Sequence, residues 1–173
     1  MRTFHCSRRC LLAWPASLAA ASLAWAGPAL ATEARPVAGF DEVAWDANGE
    51  LLIAQTGREH LLIEAEPHVL RRIVTRVHNR RLEIGFAPGR VETTLPIRFK
   101  LELRQLRWLE LRGSGQAVAG ALRADDLTLA LHGSNDLRVD MLHARRVELR
   151  HAGAGDVRIE GGTDEILKNI IAE

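Results

Sequence analysis

The sequence predicts an all-β single domain: a short right-handed parallel β-helix or β-roll with coils of about twenty residues. Three observations predict it. Gly113, Gly133 and Gly153 are spaced by twenty, as are Ser114, Ser134 and Ala154, and Gly115, Asn135 and Gly155. Around each of these corners the chain alternates. Leu109 and Leu111, Leu129 and Leu131, then Val147 and Leu149 precede a corner; Ala117 and Ala119, Leu137 and Val139, then Val157 and Ile159 follow one. No Pro/Ser-rich linker interrupts residues 35–162, so one domain is expected.

The geometry of such a coil is reasonable. Twenty residues at about 3.3 Å each trace roughly 66 Å, enough for a flattened turn of two or three short strands, and each Leu109-type position would stack about 4.8 Å from its counterpart. Glycine at the corners lets the chain turn without a Cβ clash. Two other folds share the period. Leucine-rich repeats use 20–29 residues, and Leu122, Leu127, Leu129 and Leu131 partly suit them, but Leu137–Met141 alternates like a strand and the consensus asparagine is not reproduced. An antiparallel meander with hairpins every ten residues would also repeat at twenty.

Taken in order, residues 1–31 read as a secretory signal peptide. Arg2, Arg8 and Arg9 form a basic start, Leu11 to Ala26 is apolar apart from Ser17 and Ser22, and Ala29-Leu30-Ala31 is a small-x-small cleavage site before Thr32. Ser7-Arg8-Arg9-Cys10-Leu11-Leu12 resembles a twin-arginine signal, with Leu11 in place of the usual Phe, so both the general and the twin-arginine routes stay open. Residues 32–162 form the β-repeat domain. Phe40, Val43 and Trp45 lead to a turn at Asp46-Ala47-Asn48-Gly49. Alternating runs follow at Leu51–Gln55, Leu61–Ala65, Leu82–Phe86 and Ile97–Leu103. Residues 67–78 suit a helical turn or a strand equally. Residues 163–173 read as a short helix over the open end of the stack, or as a frayed tail. Thr163 is its capping hydroxyl, and Ile166, Leu167, Ile170 and Ile171 form one face. Residues 161–173 also resemble the C-terminal segment of acyl-CoA dehydrogenases, but nothing else in the chain resembles a flavin enzyme.

Composition narrows the functions. Cleavage after Ala31 removes Cys6 and Cys10, leaving no disulfide, thiol nucleophile or cysteine metal ligand. The remaining 142 residues carry 20 Lys+Arg against 22 Asp+Glu, so no basic field for nucleic acid exists. No stable transmembrane segment is expected after cleavage.

Phe40-Asp41-Glu42-Val43, Leu51 to Gly57, Leu61 to Ala65, Arg81 to Ile84 and the corners at 113–115, 133–135 and 153–156 together resemble the "putative auto-transporter adhesin, head GIN domain" family of bacterial envelope proteins. The resemblance covers about residues 38–162. It implies a β-helical single domain and a binding role. The sequence departs from the family pattern where Asn135 replaces a corner glycine and Ala154 a corner serine.

Candidate chemistry is sparse. Ser114 and Ser134 lie between small residues at corners, outside a Gly-x-Ser-x-Gly elbow, and read as turn residues. His132 and His151 are nearly in phase, and neighbouring coils would bring them close, but too few ligands accompany them for zinc. Gln116, Asp136 and Asp156 form a ladder in which two carboxylates would adjoin, with Arg138 and Arg158 as neutralisers or calcium between them. Arg71, Arg72, Arg76, Arg80 and Arg81 form the one basic cluster, a solvated face or a contact for an anionic envelope component such as lipopolysaccharide phosphate. No catalytic residue, metal ligand or cofactor is assigned. The expected role is non-enzymatic: an exported envelope domain, periplasmic or at the cell surface, for binding, adhesion or scaffolding, with an envelope protein or glycan as partner. The alternatives are a small β-helix carbohydrate-active enzyme using Asp136 and Asp156, and a periplasmic sensor or accessory subunit.

Overall fold

The computed structural model describes residues 29–161. The signal-peptide reading and the C-terminal helix therefore lie almost wholly outside the described residues. Strands β1 (Ala31–Arg35), β2 (Glu42–Gln55) and β3 (His60–Ala65) are followed by one helical turn, α1 (Pro67–Leu70). Then come β4 (Ile73–His78), β5 (Arg81–Phe86), β6 (Arg98–Leu103), the long β7 (Trp108–Gly153) and β8 (Val157–Ile159).

The architecture is easiest to build outward from β2. One edge of β2 pairs in parallel with β7, from Glu42↔Trp108 to Ile53↔Ala119. The other edge pairs in parallel with β5 over Glu42–Asp46 and with β6 over Glu50–Gln55. The interruption falls at Ala47-Asn48-Gly49, which lies beside Gly113-Ser114-Gly115. This is a coil corner: β2 stays extended through the segment expected to be a turn, and Gly49 takes φ 123° there.

Beyond Trp108 the ribbon stacks on itself at the predicted spacing. The Thr128 amide donates to the Arg107 carbonyl at 2.9 Å and the Ala154 amide to the Gly133 carbonyl at 3.0 Å. Leu137 pairs in parallel with Val157. Inward side chains consequently form rows. Leu82, Val43, Leu109 and Leu129 make one; Ile84, Trp45, Leu111 and Leu131 the next; all are buried. Across the coil, Phe99, Leu51, Ala117 and Leu137 face them, beside Leu101, Ile53, Ala119 and Val139. The row is filled by alternating size. Trp45 and Phe99 meet edge to face at 6.0 Å and 81°. The next coil offers Gly115, Ala117 and Ala119, which leave room for the indole. Leu106, Leu122 and Leu142 close the third side.

Two expectations are corrected here. The repeat does not begin near Leu109: β2 forms an earlier coil in the same rows, and β5 with β6 continues them at its other edge. Nor is the sheet uniformly parallel, as a simple β-helix requires. β1 pairs antiparallel with β3, β3 with β6 and β4 with β5. The fold is a single all-β domain on a mixed, strongly coiled sheet. Of these pairs only β4 and β5 are joined by a short connection, which forces them to run antiparallel, while β3 inserts between β1 and β6 from distant parts of the chain. Asn79 and Arg80, at φ 49° and 64°, form a two-residue hairpin loop between β4 and β5. The ambiguous stretch 67–78 contains both elements, α1 and then β4.

Glu66 fastens α1 to the loop before β6. Its carboxylate accepts from the Thr93 hydroxyl at 2.7 Å, and from the Thr94 amide and hydroxyl at 3.0 Å each. These bonds, the Thr93 hydroxyl foremost, hold its carboxyl at about 2 against an ordinary 4.5. A depressed folded pKa gives stability that is present above the ordinary value and lost as pH falls through the folded one. Glu66→Gln is therefore expected to be less stable than the native chain near neutrality, with the difference shrinking between about pH 4.5 and pH 2. Urea midpoints measured across that window check it.

Candidate binding groove

The corner residues serve structure. Ser114 donates from Oγ to Asn48 Oδ1 at 3.1 Å, and its amide reaches the same oxygen at 3.3 Å. Asn135, the departure from the glycine pattern, is buried. Its Nδ2 donates to the Gly113 carbonyl at 3.1 Å and the His132 carbonyl at 2.8 Å, tying one corner to the corner below. Asn135→Ala should cost about 1–3 kcal/mol, because buried polar groups lose their partner; urea unfolding measures it.

The acidic ladder is a backbone tie. Asp136 Oδ1 accepts the Asp156 amide at 2.9 Å, while Arg138 turns away to Asp140 at 3.0 Å and Glu160 at 3.1 Å. Arg138 is thus not the neutraliser expected of it. No group of three or more His, Cys, Asp or Glu among the described residues is placed to hold a metal ion. The expected approach of His132 and His151 fails because an offset of nineteen puts them on opposite faces of the ribbon. His132 lies outside, 3.9 Å from Glu110, and His151 shares the inward row of Leu111 and Leu131 with its Nε2 buried.

The five-arginine cluster also disperses. Arg72 donates to the Ala87 and Pro88 carbonyls, Arg80 to Asp41, and Arg81 to Glu110. Glu110 is buried beneath Arg81 and Arg112, the latter donating at 2.6 Å. Burial pushes its carboxyl up, but hydrogen bonds and charge from the two arginines outweigh that and leave it below its ordinary value.

An open groove lies elsewhere, on the third side of the stack, at the seam where the chain leaves the first coil after Gln55 and returns at Trp108. The seam is stitched tightly. Gln55 Nε2 donates to the carbonyls of Arg104 at 2.9 Å and Arg123 at 3.1 Å, and its Oε1 accepts the Arg123 amide at 2.7 Å. A side-chain amide thus replaces the backbone ladder that the departing chain no longer supplies. The Arg107 amide donates to the Asp41 carbonyl at 2.8 Å. Around this stitching lies a cavity of about 810 Å³, with Arg104, Arg107, Arg123 and His143 at its wall. A second, of about 590 Å³, shares Arg104 and Gln105 and extends to Asp41 and Arg80. Loop residues held on a rigid scaffold are the usual carriers of binding. Sequence reasoning missed this groove because only the register of the first coil on the second brings Gln55, Arg104 and Arg123 together.

Fold and site define an all-β domain with a stacked-coil core and an open polar groove at its seam. The chain belongs to the family described as "Putative auto-transporter adhesin, head GIN domain", which matches residues 39–170. Solved structures share the fold. A putative lipid binding protein from Parabacteroides distasonis ATCC 8503 aligns with TM-score 0.69 and 15% identity, over 83% of this chain and 61% of that one. A putative adhesin from the same organism aligns at 0.58 and 18%, over 78% and 66%. Another, from Bacteroides fragilis NCTC 9343, aligns at 0.57 and 14%, over 85% and 94%. The chain spans less than two thirds of the first two proteins' length. No curated protein matches the sequence. Among the described residues no helix is long and apolar enough to cross a membrane.

Proposed function

We propose that this chain is an exported, non-enzymatic domain of the cell envelope that works by binding, as an adhesive or scaffolding module. The observation that carries the reading is the seam groove. It is open, polar and rich in arginine, and it is fixed to a rigid stack by the Gln55 hydrogen bonds. Family membership supports the same reading, since the family is named for adhesin heads. Ser114 is bonded to Asn48 and the Asp136 carboxylate to the Asp156 amide, which favours binding over hydrolysis. Residues 1–31 act as the signal. The coils wind right-handed, the hand that nearly all parallel β connections adopt.

The test has two parts. Mass spectrometry of the protein recovered from the envelope fraction of its own host should find Thr32 as the first residue; a chain retained whole in the cytoplasm contradicts export. The purified protein should sediment with isolated envelopes and release no product from a glycan panel. Turnover that disappears in an Asp136→Ala/Asp156→Ala variant would instead establish the enzyme.

A further inference from the structure

We propose that the seam groove binds an acidic polysaccharide, gripping its carboxylate or phosphate groups with Arg104, Arg107 and Arg123. The inference rests on the binding role proposed above and names the site and the ligand class.

The argument starts from what these arginines lack. Many arginines of the domain are engaged by a carboxylate, as Arg98 is by Glu50 at 3.0 Å and Arg138 by Asp140 at 3.0 Å; others, such as Arg71, Arg76, Arg145 and Arg158, have no ion pair among the described residues, but at the seam three weakly engaged arginines share one cavity wall. At the seam the pairing is poor. Arg123 has no ion pair among the described residues. Arg107 approaches Asp41 Oδ2 only at 3.5 Å, and that oxygen already accepts from Arg80 at 2.6 Å. Arg104 stands 3.8 Å from Glu59. Three exposed guanidinium groups therefore line one cavity with donors to spare. Asp125 and Asp126 stand in the same wall as the three arginines, and Asp126 lies 3.4 Å from Arg146. A planar guanidinium matches a carboxylate or phosphate through two parallel hydrogen bonds, so this is an anion-reading surface.

Shape and lining select a polymer of sugars. The two cavities share Arg104 and Gln105 in their walls and both are open to solvent, so a long ligand can cross this surface without being enclosed. Gln105, Asp125 and His143 supply donors and acceptors for hydroxyl groups. The apolar side chains in the larger cavity's wall are Leu106, itself buried, and the small Ala124, so a lipid would find headgroup contacts here but only a short apolar stretch for its tails.

The test compares retention of the purified protein on immobilised polygalacturonate, dextran sulfate and neutral dextran, and its co-sedimentation with phosphatidylglycerol vesicles. Polygalacturonate and dextran sulfate are expected to retain it and neutral dextran not, with retention falling as salt rises. An Arg107→Gln/Arg123→Gln variant should bind about tenfold or more weakly, the scale of losing charge-assisted hydrogen bonds. Gln55 bonds only the backbone of Arg123, so this variant keeps the seam, and an unchanged urea midpoint will show that it is folded. Arg90 and Arg98 are exposed and line neither cavity, and Arg90→Gln/Arg98→Gln should bind as the native chain does. Equal losses in both variants, equal binding to neutral dextran, or preference for the vesicles would each overturn the proposal. Failure of every acidic polymer while the protein still sediments with envelopes would overturn this ligand class and leave the binding role standing. Failure of both would remove the two together.

Discussion

Replacing Gly133 by alanine is expected to destabilise the domain by about 2–4 kcal/mol, from positive-φ strain and overpacking together. Gly133 sits at φ +87°, where an L side chain is strained, and a Cβ built there would lie 2.5 Å from the Gly113 carbonyl oxygen. That oxygen belongs to the backbone of the adjoining coil and cannot swing aside, so the two coils must part. Gly120 provides the contrast. A Cβ there meets nothing within 4 Å and the backbone is not left-handed, so Gly120→Ala should stay within about 0.5 kcal/mol of the native chain. Urea unfolding of both variants measures the difference. Equal effects would mean that coil contact at the corner is not what makes the glycine necessary.

Trp45→Ala should cost about 3–5 kcal/mol, the usual loss for a large aromatic removed from a tightly packed row. Trp45 is fully buried, stands between Ile84 and Leu111, and meets Phe99 edge to face. The tip of its ring fills the space over Gly115, where an added Cβ would approach Cη2 to 2.5 Å. Its indole nitrogen has no hydrogen-bond partner among the described residues. Trp45→Phe therefore loses packing alone and should be much milder than Trp45→Ala. Thermal or urea denaturation will rank the two; a Phe variant as unstable as the Ala variant would point to a partner for the indole N–H.

These residues also show how far the sequence could be read. The corners at 113, 133 and 153 were legible because nothing interrupts the period after Leu109, and period-two runs placed β3, β5 and β6. The first coil was not legible as a coil. Its corner, Ala47-Asn48-Gly49, keeps one glycine of the motif, and the segment containing β3 to β6 separates it from its partner at 113–115. The mixed sheet was hidden for the same reason. A hairpin such as Asn79-Arg80 carries none of the usual glycine signal, although its positive φ values are what turn β4 back along β5. At the site, Ser114 and Ser134 sit at the coil corners within β7, and Ser114 bonds Asn48 of the neighbouring coil. The approach of His132 to His151 failed on strand alternation, and the arginine cluster failed because arginines adjacent in sequence point to acceptors on different elements. The groove was invisible because Arg104 and Arg107 stand sixteen or more residues from Arg123 and meet it only when the coils stack and Gln55 bonds Arg104 and Arg123.

The stacking register is the claim on which both the core and the seam depend. It is tested most directly by cross-linking Ser114→Cys to Ser134→Cys in a chain beginning at Thr32, which contains no other cysteine. Both positions are exposed at successive corners. Parallel neighbours about 4.8 Å apart fall within the Cα separation a disulfide spans, about 4.4–6.8 Å. Stacked coils predict that mild oxidation closes this disulfide within one molecule, while a Ser114→Cys/Ala124→Cys pair, half a coil apart, stays reduced. If the first pair stays reduced while the second closes, the chain is not stacked at twenty residues, and the account of its core and its groove fails with it.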